Sequence, residues 1–257
     1  MKLIQRHGYI EFLRRNRERS IIKVVSGIRR CGKSTLFRLF KDELLAEGVK
    51  PEQIISINFE ELEYEPLREY HRLYQYILDR MQPNQMNYIF LDEIQHVDQF
   101  HRVVDSLFVK ENTDIYITGS NAYFMSSDIA TLLTGRYVEI QMLPLSFAEF
   151  YYSKYEEHQY SLIPAYEAYI RESSFPYTQQ LGGEDFDIQE YLRGLFNTLL
   201  LHDVVARLKI NDVTILQDIV RYIMANVGSL LSPNKIAKSL VSAGRKIDNK
   251  TVERYLQ

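Results

Sequence analysis

The chain has 257 residues, 31 basic and 34 acidic side chains, and is 46% hydrophobic and 25% charged, which leaves a formal charge of −3. Those proportions are average for globular proteins and exclude collagen-like, mucin-like and disordered chains, while the mild acidity speaks against a protein that coats nucleic acid. No run approaches the ~20 apolar residues of a bilayer span, residues Met1–His7 carry no secretory signal, and the single cysteine, Cys31, excludes an internal disulfide, so the expectation is a cytoplasmic protein without a membrane partner.

Up to residue 150, short β-branched runs alternate with helical spacing. The predicted strands are Ile21–Ser26, Gln53–Asn58, Tyr88–Asp92, Asp114–Thr118 and Tyr137–Met142. Between them, Leu67, Tyr70, Tyr74, Ile77, Leu78 and Met81, then Val97, Phe100, Val104, Leu107 and Phe108, recur at steps of three and four, which places them on single helical faces. Near-continuous apolar strands in alternation with helices predict an α/β fold, a parallel sheet covered on both faces.

Directly after the first strand stands Gly27-Ile28-Arg29-Arg30-Cys31-Gly32-Lys33-Ser34, followed by Thr35. It fits G-x-x-x-x-G-K-[ST] at every fixed position, between a strand and a helix. Glycines let the loop turn its N–H groups toward an anion, and the helix N-terminus adds partial positive charge. Lys33 then reaches the β- and γ-phosphates of a nucleotide, and the Ser34 hydroxyl is placed for Mg²⁺. Cys31 reads as a small loop filler rather than a catalytic thiol, because no histidine lies near it in sequence.

Some sixty residues on, Tyr88-Ile89-Phe90-Leu91 ends in Asp92-Glu93. Carboxylates at the C-terminal end of a parallel strand stand where open α/β sheets bind ligands. Asp92 is expected to hold Mg²⁺ through water beside Ser34, and Glu93 to act as general base on the attacking water. A small-molecule kinase with the same phosphate loop is the weaker alternative, since kinases usually lack the second acid. The next strand ends in Thr118-Gly119-Ser120-Asn121; Ser120 or Asn121 can bond the γ-phosphate or cap a helix. Arg136, just before the last strand, points away from its own nucleotide and reads either as a finger for a neighbouring subunit or as a surface charge.

After Phe150 the strand signal fades. Pro164–Arg171 and Ile188–Lys209 read as helices, as does the stretch marked by Ile215, Ile219, Tyr222, Ile223 and Val227. Ser232-Pro233 starts another helix running to Ser242, and Asp248 caps a last one. Six basic residues (Lys235, Lys238, Arg245, Lys246, Lys250 and Arg254) against Asp248 and Glu253 give this end a positive balance. That suits DNA contact, although an ordinary helical unit used for protein contacts is the favoured reading.

These motifs together resemble AAA+-type P-loop ATPases, in particular a subfamily of bacterial and archaeal ATP-binding proteins. The likeness is carried by Ile28-Arg29-Arg30 before Gly32-Lys33-Ser34-Thr35, by Asn58-Phe59-Glu60, by Leu91-Asp92-Glu93-Ile94-Gln95, by Thr118-Gly119-Ser120-Asn121, by Thr134-Gly135-Arg136-Tyr137 and by Leu143-Pro144-Leu145-Ser146-Phe147. It implies a five-stranded parallel ATPase core over 1–150, a helical lid over 151–212 and an incomplete winged-helix segment over 213–257, with a further domain in relatives. ATP and Mg²⁺ are the implied ligands and a homo-oligomer the implied assembly. Gly27, Arg29, Arg30, Cys31, Gly32, Lys33, Ser34 and Thr35 form the implied phosphate site, Ser34 and Asp92 the metal site, and Glu93, Lys33, Asn121 and Arg136 the catalytic set. Glu60 reads as a surface acid near the nucleotide side. His202 stands where relatives have Lys or Arg to sense the γ-phosphate, with Arg193 and Arg207 as substitutes. The expected function is Mg-dependent ATP hydrolysis, slow in this chain, with a nucleotide-gated DNA- or protein-binding module of little hydrolytic activity as the alternative.

Overall fold

The computed structural model describes residues 4–120, 133, 135–155, 160–181, 185–199, 205 and 212–256. The chain divides into two compact units, residues 1–188 and 189–257.

The first unit holds a five-stranded sheet, β1 (Ile22–Gly27), β2 (Ile54–Asn58), β3 (Asn87–Asp92), β4 (Thr113–Ser120) and β5 (Tyr137–Met142), in the order β2-β3-β4-β1-β5 with every pairing parallel. The α/β expectation therefore holds, and each strand lies within a residue or two of its sequence run. β1 and β3 are buried along their whole length, as strands covered on both faces must be. Alternation sorts their side chains to opposite faces. Ile22, Val24, Ile89, Leu91, Ile115 and Ile117 pack on one side under α3 (Tyr70–Leu78) and α4 (Phe100–Phe108). Val25, Tyr88, Phe90 and Tyr116 pack on the other, against α1 (His7–Asn16) and α2 (Lys33–Ala46). Phe90 and Tyr116 stack at 4.6 Å, and Phe37 of α2 meets Phe90 edge-on at 5.2 Å.

Two helices start later than their apolar spacing suggests. Leu67 lies in a 3₁₀ segment, Leu62–Arg68, that contains Pro66, and α3 begins only after Glu69 accepts the His71 and Arg72 amides. Proline lacks the N–H a helix interior needs, whereas a capping acid supplies the missing acceptor. Val97 is extended, behind the short turn Ile94–His96, and α4 begins at Phe100.

Beyond β5 the first unit continues with α5 (Phe147–Lys154), opened by a reciprocal Ser146/Glu149 capping box, and α6 (Leu162–Glu172). α7 (Asp185–Thr198) carries the chain across the boundary between units. In the second unit, α8 (Val213–Ala225), α9 (Pro233–Ser242) and α10 (Asn249–Leu256) share a core of Leu216, Ile219, Ile236, Leu240, Val252 and Tyr255. Ser232 caps α9 through the Lys235 amide, and Asp248 accepts the Thr251 amide at the start of α10. No helix among the described residues is long and apolar enough to cross a membrane.

Candidate functional site

The site is built where β1 and β3 end side by side with β4 at the C-terminal edge of the sheet. β1 runs into the loop Gly27–Gly32, and α2 leaves it at Lys33. Two glycines are sterically required. A Cβ on Gly27 would lie 2.4 Å from the Met142 carbonyl oxygen and 2.9 Å from the Cys31 sulfur, and Gly32 sits at φ +108°, outside the range of ordinary side chains. Arg30 also takes a positive φ, 62°, at the exposed crest of the loop. No side chain caps α2 at Gly32, so its first N–H groups remain available to an anion.

Lys33 is 4% exposed. Its ammonium donates to the Gly27 and Ile28 carbonyls at 3.1 and 3.4 Å and pairs with Glu93 Oε1 at 3.0 Å. Glu93 is itself buried and adopts a left-handed backbone, φ 55° and ψ 50°, at the sharp exit from β3. Its amide donates to Thr118 Oγ1 at 2.9 Å, which anchors this strained position to β4. Burial opposes ionisation of Glu93, but the Lys33 charge and the Gln95 and Lys33 hydrogen bonds outweigh it and hold its pKa below the usual carboxylate value.

Asp92, one residue earlier, points elsewhere. It accepts hydrogen bonds from the Ser34 and Thr118 hydroxyls, and burial raises its pKa against those bonds. The donor set that results, one hydroxyl and one buried carboxylate, consists of hard oxygens beside a loop shaped for phosphate. It fits Mg²⁺, which binds through one or two protein oxygens, waters and substrate phosphates. Among the described residues no cluster of three or more His, Cys, Asp or Glu stands ready as an all-protein cage.

The other loop residues divide clearly. Arg29 pairs with Glu60 at 3.3 Å, so the acid after β2 reaches the loop through a cation. Cys31 is fully buried, and burial raises its thiol pKa, the opposite of an activated nucleophile. Ser34 is exposed and Thr35 half-buried at the mouth of the site. Cys31, Gly32 and Thr35 also border a cavity of about 610 Å³ within the first unit, walled by Leu36, Met142 and Pro176.

Arg136 is not brought to this site. It lies exposed at the opposite end of β5, its guanidinium 5.6 Å from the Phe108 ring centre, and the parallel strands put about 20 Å between the two edges at ~3.3 Å per residue. Asn121, Thr134, His202 and Arg207 lie outside the described residues, while Arg193 is exposed on α7.

Three residues that matter here carry no role in the sequence reading, although Thr118 and Gln95 stand in its motifs. Thr118 stands out in sequence only as a strand end within a motif, yet its hydroxyl donates to the Asp92 carboxylate and accepts the Glu93 backbone amide. Gln95 donates to Glu93 Oε2. Arg6, buried beneath the phosphate loop, donates to the Cys31 carbonyl at 3.2 Å, to the Leu143 carbonyl at 2.8 Å and to both oxygens of Glu149.

A glycine loop, its lysine and two strand-end acids on one edge of a β2-β3-β4-β1-β5 sheet are matched by known proteins. Residues 19–151 match the family described as AAA domain. The chain belongs to that family. Residues 163–257 match a second family described only as a domain of unknown function. An uncharacterised protein of Haemophilus influenzae is 37% identical over 99% of this chain, and the uncharacterised protein MJ1544 of Methanocaldococcus jannaschii is 31% identical over 92%. The chain spans 64% and 54% of the length of those two relatives. Among solved structures, the Walker-type ATPase PABY2304 of Pyrococcus abyssi superposes with a TM-score of 0.65 at 18% identity, covering 99% of this chain and 88% of that one. At that identity the likeness establishes the P-loop NTPase fold, with its helical C-terminal region.

Proposed function

We propose that this chain binds ATP with Mg²⁺ and hydrolyses it. The observation that carries this reading is the 3.0 Å contact between Lys33 of the phosphate loop and Glu93, a buried carboxylate that is distinct from the metal-side Asp92. A lysine that reaches the terminal phosphates therefore has a spare base beside it, where the attacking water must stand. In the proposed reaction Glu93 takes a proton from that water. The water oxygen bonds to the γ-phosphorus, the bridging β–γ bond breaks, and ADP and phosphate leave.

Lys33, the loop amides and the N-terminus of α2 hold the phosphates and stabilise the charge that shifts during transfer. Ser34 and Asp92 would hold Mg²⁺, which neutralises phosphate charge when bound. The apolar wall of the adjoining cavity, Leu36, Met142 and Pro176, suits a purine ring, and the Gln179 and Gln180 side chains supply polar atoms on its border. The Arg6–Glu149 pair braces the floor of the loop.

Phosphate release from Mg·ATP without any acceptor tests this reading. Steady release, lost in Glu93→Gln, is the expected result; tight nucleotide binding with no release would instead support the nucleotide-gated binding module. Arg136, exposed and far from its own phosphate loop, is proposed as a finger for a neighbouring subunit's nucleotide. Mixing Arg136→Ala with Glu93→Gln chains should restore turnover if the finger acts in trans, and should restore nothing if this chain works as a slow monomer. The cytoplasm, the helical-lid role of residues 151–212 and the winged-helix role of residues 213–257 belong to the same proposal.

A further inference from the structure

Glu93 has two carboxylate oxygens, and both are engaged. Oε1 meets the Lys33 ammonium at 3.0 Å, and Oε2 accepts from Gln95 Nε2. Gln95 stands two residues on, in the single 3₁₀ turn Ile94–His96 that the left-handed Glu93 backbone opens. That turn folds the amide back onto the carboxylate, while Thr118 fixes the Glu93 backbone from β4. The other end of the amide, Gln95 Oε1, is buried and accepts no hydrogen bond among the described residues. A buried amide with one end unsatisfied is costly, so its orientation is set by what the Nε2 end holds.

The two donors differ in what becomes of them. Lys33 is also the residue that reaches phosphate, and an incoming nucleotide must draw its ammonium away from Glu93. Gln95 has no phosphate to reach, and its contact survives that exchange. We propose that Gln95 is a positioning residue for the base: it holds Glu93 by Oε2 so that Oε1, vacated by Lys33, faces the attacking water. This rests on the reading of Glu93 as the base in ATP hydrolysis.

Gln95→Ala removes the donor, and Gln95→Glu keeps the length but replaces the donor with a second carboxylate. Both should lower kcat about tenfold or more while leaving KM and the Kd for a non-hydrolysable ATP analogue within about threefold, because Gln95 acts on the base and not on the phosphates. The decisive arm is the double variant. In single turnover, Glu93→Gln/Gln95→Ala should be no slower than Glu93→Gln alone, since the second substitution has lost the group it acts through. A Gln95→Ala loss that multiplies in full on Glu93→Gln, or one that falls on Kd, would reduce Gln95 to general support of the fold and overturn the proposal. So would parental kcat in both single variants. If the parent chain itself releases no phosphate, the hydrolytic reading fails and takes this proposal with it; a hydrolysing parent with unaffected Gln95 variants removes this proposal alone.

Discussion

The sheet carries a buried lysine–carboxylate pair at each end, and the two are built differently. At the N-terminal edge, Lys23 of β1 pairs with Asp114 of β4, both fully buried. Every remaining polar atom there has a partner within the fold: Lys23 also donates to the Arg19 carbonyl at 3.0 Å, and Asp114 accepts from the Tyr116 hydroxyl at 2.7 Å and from the Glu18 amide at 2.9 Å. Burial lowers the Lys23 pKa against the attraction of Asp114. At the C-terminal edge, Lys33 and Glu93 are almost as buried, but their partners are loop carbonyls and a glutamine, beside an open helix N-terminus. The first pair closes a network and the second leaves one that a phosphate can enter. Burial of charge alone does not mark a site; partners that a ligand can replace do.

Substitutions can break this contrast, and the largest expected effect is catalytic. Glu93→Gln keeps the shape but accepts no proton and exchanges one acceptor oxygen for an NH₂ donor, so turnover should fall about 10²–10⁴-fold, with Mg·ATP affinity no weaker than the parent's. Phosphate release together with equilibrium binding checks it; unchanged turnover would strip Glu93 of the role given to it. Next is Asp114→Ala at the opposite edge. It leaves a buried ammonium without its counter-charge, and about 3–5 kcal/mol of stability should go, read from a denaturant melt. The folded fraction should still bind nucleotide with parental affinity.

Lys33→Ala sharpens the contrast from the other side. It should weaken Mg·ATP binding by roughly 1.5–3 kcal/mol, about 10–150-fold, through loss of a charge-assisted contact. It should cost less stability than Asp114→Ala, because Glu93 keeps Gln95 and borders an opening that water can enter. Equal destabilisation of the two variants would erase the distinction between the edges. The smallest effect belongs to Arg136→Ala, whose nucleotide Kd should stay within about twofold of the parent because the residue lies across the sheet. A larger shift in an isothermal titration would place Arg136 in its own chain's site.

Much of this architecture was legible in the residues alone. Ile22–Gly27 and Asn87–Asp92 are buried along their whole length and read as largely apolar runs, whereas Tyr137–Met142, at the sheet edge and only partly buried, alternates Val138, Ile140 and Met142 with Glu139 and Gln141. Gly27 and Gly32 mark the loop because no other residue tolerates the contact at one and the φ of the other. Asp92 and Glu93 stood out as acids that end an apolar run. Leu67 and Val97 misled, since helical spacing registers the apolar face but not the proline or the cap that delays the helix.

What sequence determined was therefore whatever local periodicity and local sterics dictate: the strands, the phosphate loop, and which acids stand beyond β3. Only the tertiary structure decided that Glu93 turns to Lys33, that Thr118 links it to Asp92, and that Gln95 folds back on the base. It likewise decided that Arg6 reaches Glu149, 143 residues away, and that Lys23 closes on Asp114, 91 residues away. Such pairs follow from the order in which strands assemble, and a lysine or a glutamine reads the same in sequence whether it faces solvent, a carbonyl or a carboxylate. Their chemistry is fixed by the neighbours that folding supplies, through burial and the hydrogen bonds that burial makes obligatory.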